Sequence, residues 1–157
     1  GGNISARNRE SGLGIASLEN KGGEISVIGF TGDELHGEAE EDKINLEKIR
    51  LKNNARAYIS NSGINSDIYV DVEEIIDSHL EVFNKTADIQ FLLPRDISAS
   101  FEISTDPDVG EIEVNGVPLV TEEVEWGSLI AHTPKHHSTI VADTRGRGKI
   151  NLRRKDF

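Results

Sequence analysis

A short unit built around isoleucine recurs along the chain, and its spacing constrains the fold more than any other feature. In each copy a small residue and a variable residue precede the isoleucine, and alternating polar and apolar residues follow it. The isoleucines are Ile4, Ile25, Ile68, Ile89, Ile112 and Ile150. Ile4 to Ile25 and Ile68 to Ile89 are steps of 21 residues, and Ile89 to Ile112 is a step of 23. A regular period of this length is typical of stacked repeats, so each unit is interpreted as one rung of a β-solenoid.

The two longer intervals each contain an apolar residue near the midpoint. Leu46 lies between Ile25 and Ile68, which are 43 residues apart, and Ile130 lies within the 38 residues between the last two isoleucines. We therefore expect Leu46 and Ile130 to mark the missing rungs. The residues expected to stack in the core are Ile25, Ile68, Ile89, Ile112 and Ile150.

A second set of strand-like runs lies between the isoleucine units. In each run apolar and polar residues alternate, which is typical of a strand with one buried and one solvated face. These runs are Leu13–Leu18, Ala55–Ser60, Leu80–Phe83, Phe101–Thr105 and Thr139–Thr144. The chain is therefore predicted to be one all-β domain over residues 1–157, a solenoid of six to eight short rungs. A β-sandwich is the alternative, although it gives no reason for a 21-residue recurrence.

One segment is ambiguous in secondary structure. Val72, Ile75, Ile76 and Leu80 have the spacing of an amphipathic helix, but the same residues fit two strand ends that meet near Ile76. Both interpretations stay open, and neither changes the predicted architecture.

Composition excludes several function classes. The chain has no cysteine, so thiol catalysis, disulfides and Cys-based metal sites are excluded. Its formal net charge of −11 disfavours nucleic acid as a partner. From Val141 onward six basic residues stand against two acidic ones, a net charge of +4, which leaves −15 on residues 1–140. We expect the basic residues Arg153–Lys155 to guard an exposed terminal strand, Gly148–Leu152, and to meet a partner there.

No catalytic, cofactor-binding or metal-binding residue is predicted. The cluster His132, His136 and His137 contains potential zinc ligands, but Thr133 and Pro134 prevent a helix from placing two of them on one face. Hard-cation ligands are plentiful but lack EF-hand spacing. These carboxylates are Asp67, Asp71, Glu73, Glu74 and Asp77, and Asp106, Asp108 and Glu111. We expect a polar loop and solvated acidic turns.

Three segments resemble the putative-adhesin β-strand-repeat family, domains of unknown function in bacterial and archaeal envelope proteins. Gly22–Leu35 is similar to the family's opening G-x-I-x-V-x-G-x-x-G-D-x-V, and Phe91–Phe101 to its L-P-x-D-x-S segment. Thr105–Gly116 and Thr144–Leu152 resemble its repeated T-x-x-G-x-I endings. The resemblance implies a single-stranded right-handed β-helix-like stack and carries over no catalytic residue.

The expected function is a non-catalytic cell-envelope binding, adhesion or scaffold module. The alternative is a polysaccharide-acting enzyme on a β-helix scaffold, which would need a cleft with two carboxylates of raised pKa. The expected partner is an envelope component or a second copy of the chain, without nucleic acid, a cofactor or a membrane span in this segment. Because the chain opens on two glycines, we expect a signal or anchor to have been removed and the location to be extracytoplasmic or envelope-associated.

Overall fold

The computed structural model describes the backbone of residues 4–7 and all of residues 15–157. Every regular element in these residues is a strand, so the prediction of an all-β fold is confirmed. Gly2, Asn3, Leu13 and Gly14, which belong to the predicted strand units, lie outside the described residues. The strands are β1 (Ile4–Arg7), β2 (Ile15–Asn20), β3 (Ile25–Ile28), β4 (Thr31–Ala39), β5 (Ile44–Asn61), β6 (Ile68–Ile75), β7 (His79–Asn84), β8 (Ile89–Leu93), β9 (Ala99–Ser104), β10 (Glu111–Asn115), β11 (Val120–Glu125), β12 (Ser128–His132), β13 (Ser138–Thr144) and β14 (Lys149–Arg154).

The strands form one mixed 14-stranded sheet with two halves that share β5. The first half-sheet has the order β1, β3, β5, β6, β8, β14, β10, and all of its pairings are parallel. The second half-sheet has the order β2, β4, β5, β7, β13, β9, β12, β11, and only its last two pairings are antiparallel. Between its two parts β5 turns through Asn53 and Asn54, which have φ of 58° and 63°. Asparagine adopts this left-handed conformation more readily than most residues, so the corner suits the sequence.

The recurring isoleucines align residue for residue across the first half-sheet. In spatial order the aligned residues are Ile4, Ile25, Ile44, Ile68, Ile89, Ile150 and Ile112. Of the predicted core isoleucines, Ile25, Ile68, Ile89 and Ile150 are fully buried, whereas Ile112 on the edge strand β10 is half-buried. This isoleucine ladder is the inner row of the first half-sheet, and four of its five predicted core members are confirmed.

The prediction that Leu46 and Ile130 supply missing rungs is wrong. Ile44 takes the place in the ladder, because it follows Ile25 by 19 residues and precedes Ile68 by 24. Leu46 lies one pleat further along β5, opposite Val27 and Val70. Ile130 lies in β12, an antiparallel strand of the second half-sheet, because the chain reverses between β11 and β12.

A matching row of apolar side chains lines the inner face of the second half-sheet. Its members, in register, are Leu35, Ala57, Leu80, Ile140, Phe101 and Ala131, and all of them are buried. The buried side chains of both half-sheets belong to one apolar cluster. The sheet therefore curls around a single core, which provides the main driving force for folding.

The last two strands are inserted into the interior of the sheet. β13 lies between β7 and β9, and β14 lies between β8 and β10. The predicted terminal strand Gly148–Leu152 is therefore paired on both sides and has no open edge to guard. The edge-guard prediction for Arg153–Lys155 is wrong for this reason.

The basic residues at the C-terminus lie against the protein itself. Lys155 Nζ is 2.7 Å from Asp71 Oδ1, and Arg154 pairs with Asp156. Arg153 donates to the carbonyl oxygen of Phe157. Removing residues 153–157 would therefore break strand pairing and ion pairs, so such a truncation is not a test of a free tail.

A row of buried polar side chains follows the end of the second half-sheet. Asn20, Asn61 and Asn84 are in register with one another through Ala39. Asn61 Nδ2 donates to the carbonyls of Asp42 (2.8 Å) and Ser66, and its Oδ1 accepts from Gly63 N. Asn84 Nδ2 donates to two turn carbonyls, and Asn20 bonds to both sides of its own turn. This asparagine ladder satisfies the buried backbone groups of the turns that return the chain to the first half-sheet.

The ambiguous segment is resolved as two strands. β6 ends at Ile75 and β7 begins at His79, and Asp77 between them has φ of 47°. Asp77 O accepts a hydrogen bond from Asn54 N, so this corner packs on the corner of β5.

We predict that Ile89→Asp lowers the free energy of unfolding by about 4 kcal/mol or more, because it places an unpaired charge between Ile68 and Ile150. Gln90→Asp, one residue further on the outer face, is the matched control and should change it by about 0.5 kcal/mol or less. Urea unfolding of both variants measures the difference. Equal stability of the two variants would contradict the observed register.

We also predict that Asn61→Ala costs about 2–3 kcal/mol, because two carbonyls and one N–H lose a buried partner. Asn45→Ala removes an amide that bonds only Glu47 on the outer face, so about 0.5 kcal/mol or less is expected there. Thermal and urea unfolding measure both. A loss at Asn61 as small as that at Asn45 would show that the asparagine ladder contributes little.

Candidate functional site

A shallow groove of about 660 Å³ lies on the outer face of the second half-sheet. Three adjacent parallel strands, β4, β5 and β7, supply its lining. Because side chains alternate between the faces of a strand, the outward residues of these strands come from every second position. The groove is therefore built from the solvent side of the sheet, and the buried core lies beneath it.

Six side chains of the groove form two rows that cross the strands. Register aligns Glu34, Arg56 and His79 in one row. It aligns His36, Tyr58 and Glu81 in the other row. Neighbouring strands lie about 4.8 Å apart, so each row spans roughly 10 Å. Tyr58 and Arg56 are in the middle, and each has an acid on one side and a histidine on the other.

Tyr58 provides the aromatic surface of the groove. Its ring stacks on the His36 ring with centroids 5.3 Å apart and an interplanar angle of 18°. On the other side the Tyr58 ring is tilted against Phe83, at 5.7 Å. Packing from both sides holds the ring in place, while 37% of the residue stays exposed. Tyr58 is therefore an ordered apolar platform that a ligand can reach.

Each histidine of the groove is paired with a glutamate two residues further along its strand. His36 Nε2 lies 3.0 Å from Glu38 Oε1, and His79 Nε2 lies 2.8 Å from Glu81 Oε1. Residues two apart on a strand point to the same face, which brings each pair together. These contacts orient the imidazole rings, so the polar groups around Tyr58 have fixed directions.

Arg56 is the cationic group of the groove. Within residues 15–157 its guanidinium forms no ion pair, although Glu34 and His79 lie opposite it on the neighbouring strands. Five N–H donors are thus available to a ligand beside the Tyr58 ring. With neutral histidines, Glu34 and Glu81 against Arg56 leave the groove close to neutral.

The sequence analysis missed this groove, although a signal for it exists. His36-Gly37-Glu38 and His79-Leu80-Glu81 repeat the pattern H-x-E at a distance of 43 residues, about two turns of the chain. An alternating strand places both members of each pattern on its outer face. The pattern could have indicated the two flanking strands, but not that Tyr58 lies between them.

The histidine cluster near the C-terminus comes together only in part. The His132 and His136 rings contact each other at 4.4 Å between centroids, because the turn after β12 brings them together without a helix. His132 Nε2 lies 3.4 Å from Glu122 Oε1, whereas His137 is exposed. Across the described residues no three His, Asp or Glu side chains are grouped as metal ligands.

The acidic residues considered as cation ligands have separate partners. Glu73 pairs with Arg50, Glu74 with Lys52, and Asp71 with Lys155. Asp67 accepts a hydrogen bond from Asp88 N, and Asp106 accepts one from Asp108 N. These carboxylates therefore stabilise strand pairs and turns.

Comparison with known proteins gives limited information. No protein-family model matches the chain, and no curated protein matches its sequence. Among solved structures, the chain is similar to a "putative cell adhesion protein" from Clostridium sporogenes with a TM-score of 0.41 and 12% identity. The alignment covers 98% of this chain and 92% of that one. Membership of the putative-adhesin family therefore remains a prediction. In the part of the chain that the structure describes, no helix has the length and hydropathy to span a membrane.

We predict that the fold does not depend on a metal ion. EDTA should leave the melting midpoint unchanged, and added zinc or calcium should not raise it, because a ligand that binds only the native state stabilises it by mass action. Differential scanning calorimetry with and without each ion tests this. A zinc-dependent rise that disappears in His132→Ala would instead place a site at the His132–His136 contact.

Proposed function

We propose that this chain is a non-catalytic binding module that holds a neutral glycan over Tyr58. The observation that carries the proposal is the composition of the groove: one ordered, exposed aromatic ring flanked by oriented acceptors and donors. Its shallow shape suits a chain of sugars that crosses several strands, and does not resemble a pocket that encloses a small ligand.

The chemistry of a pyranose ring matches the two rows. A sugar has an apolar C–H face that packs on an aromatic ring, and hydroxyl groups around its rim that both donate and accept hydrogen bonds. Glu34 and Glu81 can accept from such hydroxyls, while Arg56 can donate to them. Groups that bond in both directions favour polyols over simple ions.

Charge favours a neutral ligand. The groove has two glutamates and one arginine, Glu38 lies beside it, and the whole chain carries −11. An anionic polymer would be repelled by this surrounding field. A cationic ligand would find Arg56 at the centre of the site. An uncharged glycan avoids both costs.

The non-catalytic reading rests on the open geometry. Glycoside hydrolysis needs two carboxyl groups on opposite sides of the bond, one of them kept protonated by its environment. Glu34 and Glu81 lie on strands separated by β5, at the rim of an open groove. An enzyme acting on polysaccharides remains the alternative function, and turnover assays distinguish the two.

The proposal extends to architecture and location. Successive passages of the chain pair in parallel and in register, which supports a single-stranded right-handed β-helix-like solenoid over a β-sandwich. A glycan-binding surface suits an extracytoplasmic or cell-envelope protein, in which the ligand is an envelope component. This assignment agrees with the resemblance to envelope adhesin repeats.

We predict that Tyr58→Ala weakens binding of the recognised glycan at least about tenfold, because the stacking platform is lost. Tyr58→Phe should retain most of the affinity, since the ring remains. The probes are soluble oligosaccharides of glucose, mannose and N-acetylglucosamine, and isothermal titration calorimetry measures the dissociation constants. The chain contains one other tyrosine, Tyr69, on the first half-sheet, so Tyr69→Ala is the matched control.

Two results would contradict the proposal. Equal losses in Tyr58→Ala and Tyr69→Ala, with both proteins folded by circular dichroism, would place the ligand outside the groove. Release of reducing ends from any of these oligosaccharides, abolished by Glu34→Gln or Glu81→Gln, would make the protein an enzyme.

A further inference from the structure

Exposed apolar side chains are concentrated at one end of the sheet. Of the ten large apolar residues that are exposed within residues 15–157, five lie between positions 109 and 126. They are Val109, Val114, Val120, Val124 and Trp126. Trp126 is 86% exposed and Val124 is 69% exposed, in strong contrast to the buried inner faces of the sheet. Such a cluster is typical of a surface that contacts a partner.

The backbone at this end is also open for pairing. β11 pairs with β12 and with no other described strand, so one of its edges is free. All six residues of β11 are exposed. Beside it, Val114, Val124 and Leu129 line a recess of about 310 Å³ where the core reaches the end of the sheet. An exposed edge next to an apolar recess can accept a further strand.

The same end carries most of the negative charge of the protein. Residues 106–125 include seven carboxylates and no lysine or arginine. Three of the acids, Glu122, Glu123 and Glu125, lie on β11 itself. Glu113 is 3.4 Å from Lys149, and Glu122 is 3.4 Å from His132. The hydrogen bond from Glu125, followed by its charge, raises the pKa of Glu123, so the acids of the edge are already crowded.

We propose that the β11 edge and Trp126 bind an extended segment of a partner protein in which apolar residues alternate with lysine or arginine. Such a segment would continue the sheet by main-chain hydrogen bonds. Its apolar side chains would cover Val124 and the recess, and its basic side chains would face the glutamates of β11. This interaction surface is separate from the groove around Tyr58.

Charge selects this partner over a second copy of the same edge. Two β11 strands paired with each other would bring six glutamates together, and like charges across a strand pair are destabilising. Glutamates on an edge strand are a known protection against such self-pairing. Protection alone does not explain a tryptophan at the adjoining turn, because an exposed tryptophan adds to the tendency to associate. A basic, alternating segment satisfies both the glutamates and Trp126.

Trp126 is the single tryptophan of the chain and therefore reports directly on the proposed contact. We expect an eight-residue peptide that alternates valine and lysine to shift its fluorescence to shorter wavelength in a saturable way. A peptide of the same composition with four valines followed by four lysines should not do so, because it cannot present the two residue types on opposite faces. Added salt should weaken the binding of the alternating peptide.

Paired variants test the role of the edge. The triple variant Glu122→Gln, Glu123→Gln, Glu125→Gln should weaken binding of the alternating peptide at least about tenfold. The control triple Asp33→Asn, Glu40→Gln, Glu41→Gln removes three exposed acids elsewhere and gives the same net charge. It should change the affinity by about twofold or less, because distant exposed charges are screened.

Three results would overturn the proposal. Equal weakening in both triple variants would show that only net charge matters. An unchanged tryptophan spectrum at saturating peptide, or equal binding of the block peptide, would place the contact elsewhere. Light scattering that shows a dimer of the free protein, lost in Val124→Lys, would make a second copy the occupant. Glycan binding at Tyr58 is measured separately, so neither result depends on the other.

Discussion

In-register parallel pairing of successive passages of the chain is the constraint on which the rest of the structure depends. A strand that slips by one residue turns its whole inner row toward solvent. The isoleucine ladder prevents such slips, because each isoleucine is buried between two others. The same register determines the outer face. Glu34, Arg56 and His79 share a row only because Leu35, Ala57 and Leu80 are aligned beneath them.

The asparagine ladder adds direction to this apolar constraint. Burial of apolar area is not directional, so the isoleucines alone would tolerate variation in the turns between strands. Asn61 bonds Asp42, Gly63 and Ser66, which belong to the turns before and after it along the sheet. Each amide thus fixes where the chain crosses back to the first half-sheet. The position of the next isoleucine is determined by that crossing, so the two ladders support each other.

The sequence was sufficient to predict the all-β class, most strand positions and four of the five core isoleucines, because alternation and the repeated unit are local signals. Ile44 was missed because the residues of one turn are divided unequally on either side of it. The insertion of β13 and β14 could not be predicted, since a period along the chain gives distances in sequence and not the order in space. The groove depends on which strands become neighbours, so the H-x-E patterns alone could not locate it. The contact of His132 with His136 arises from a turn that carries no such pattern.

The inserted strands also explain where the open surfaces of the molecule lie. β13 and β14 complete the interior of the sheet, so the far end is formed by the middle of the chain, β10 and β11. The basic C-terminus cannot protect that end, and the glutamates of β11 provide its charge instead. The Tyr58 groove ends at β7, four strands from β11, a separation of about 19 Å. At physiological ionic strength this exceeds the screening length of roughly 8 Å, so the acidic edge and the near-neutral groove can act on different partners independently.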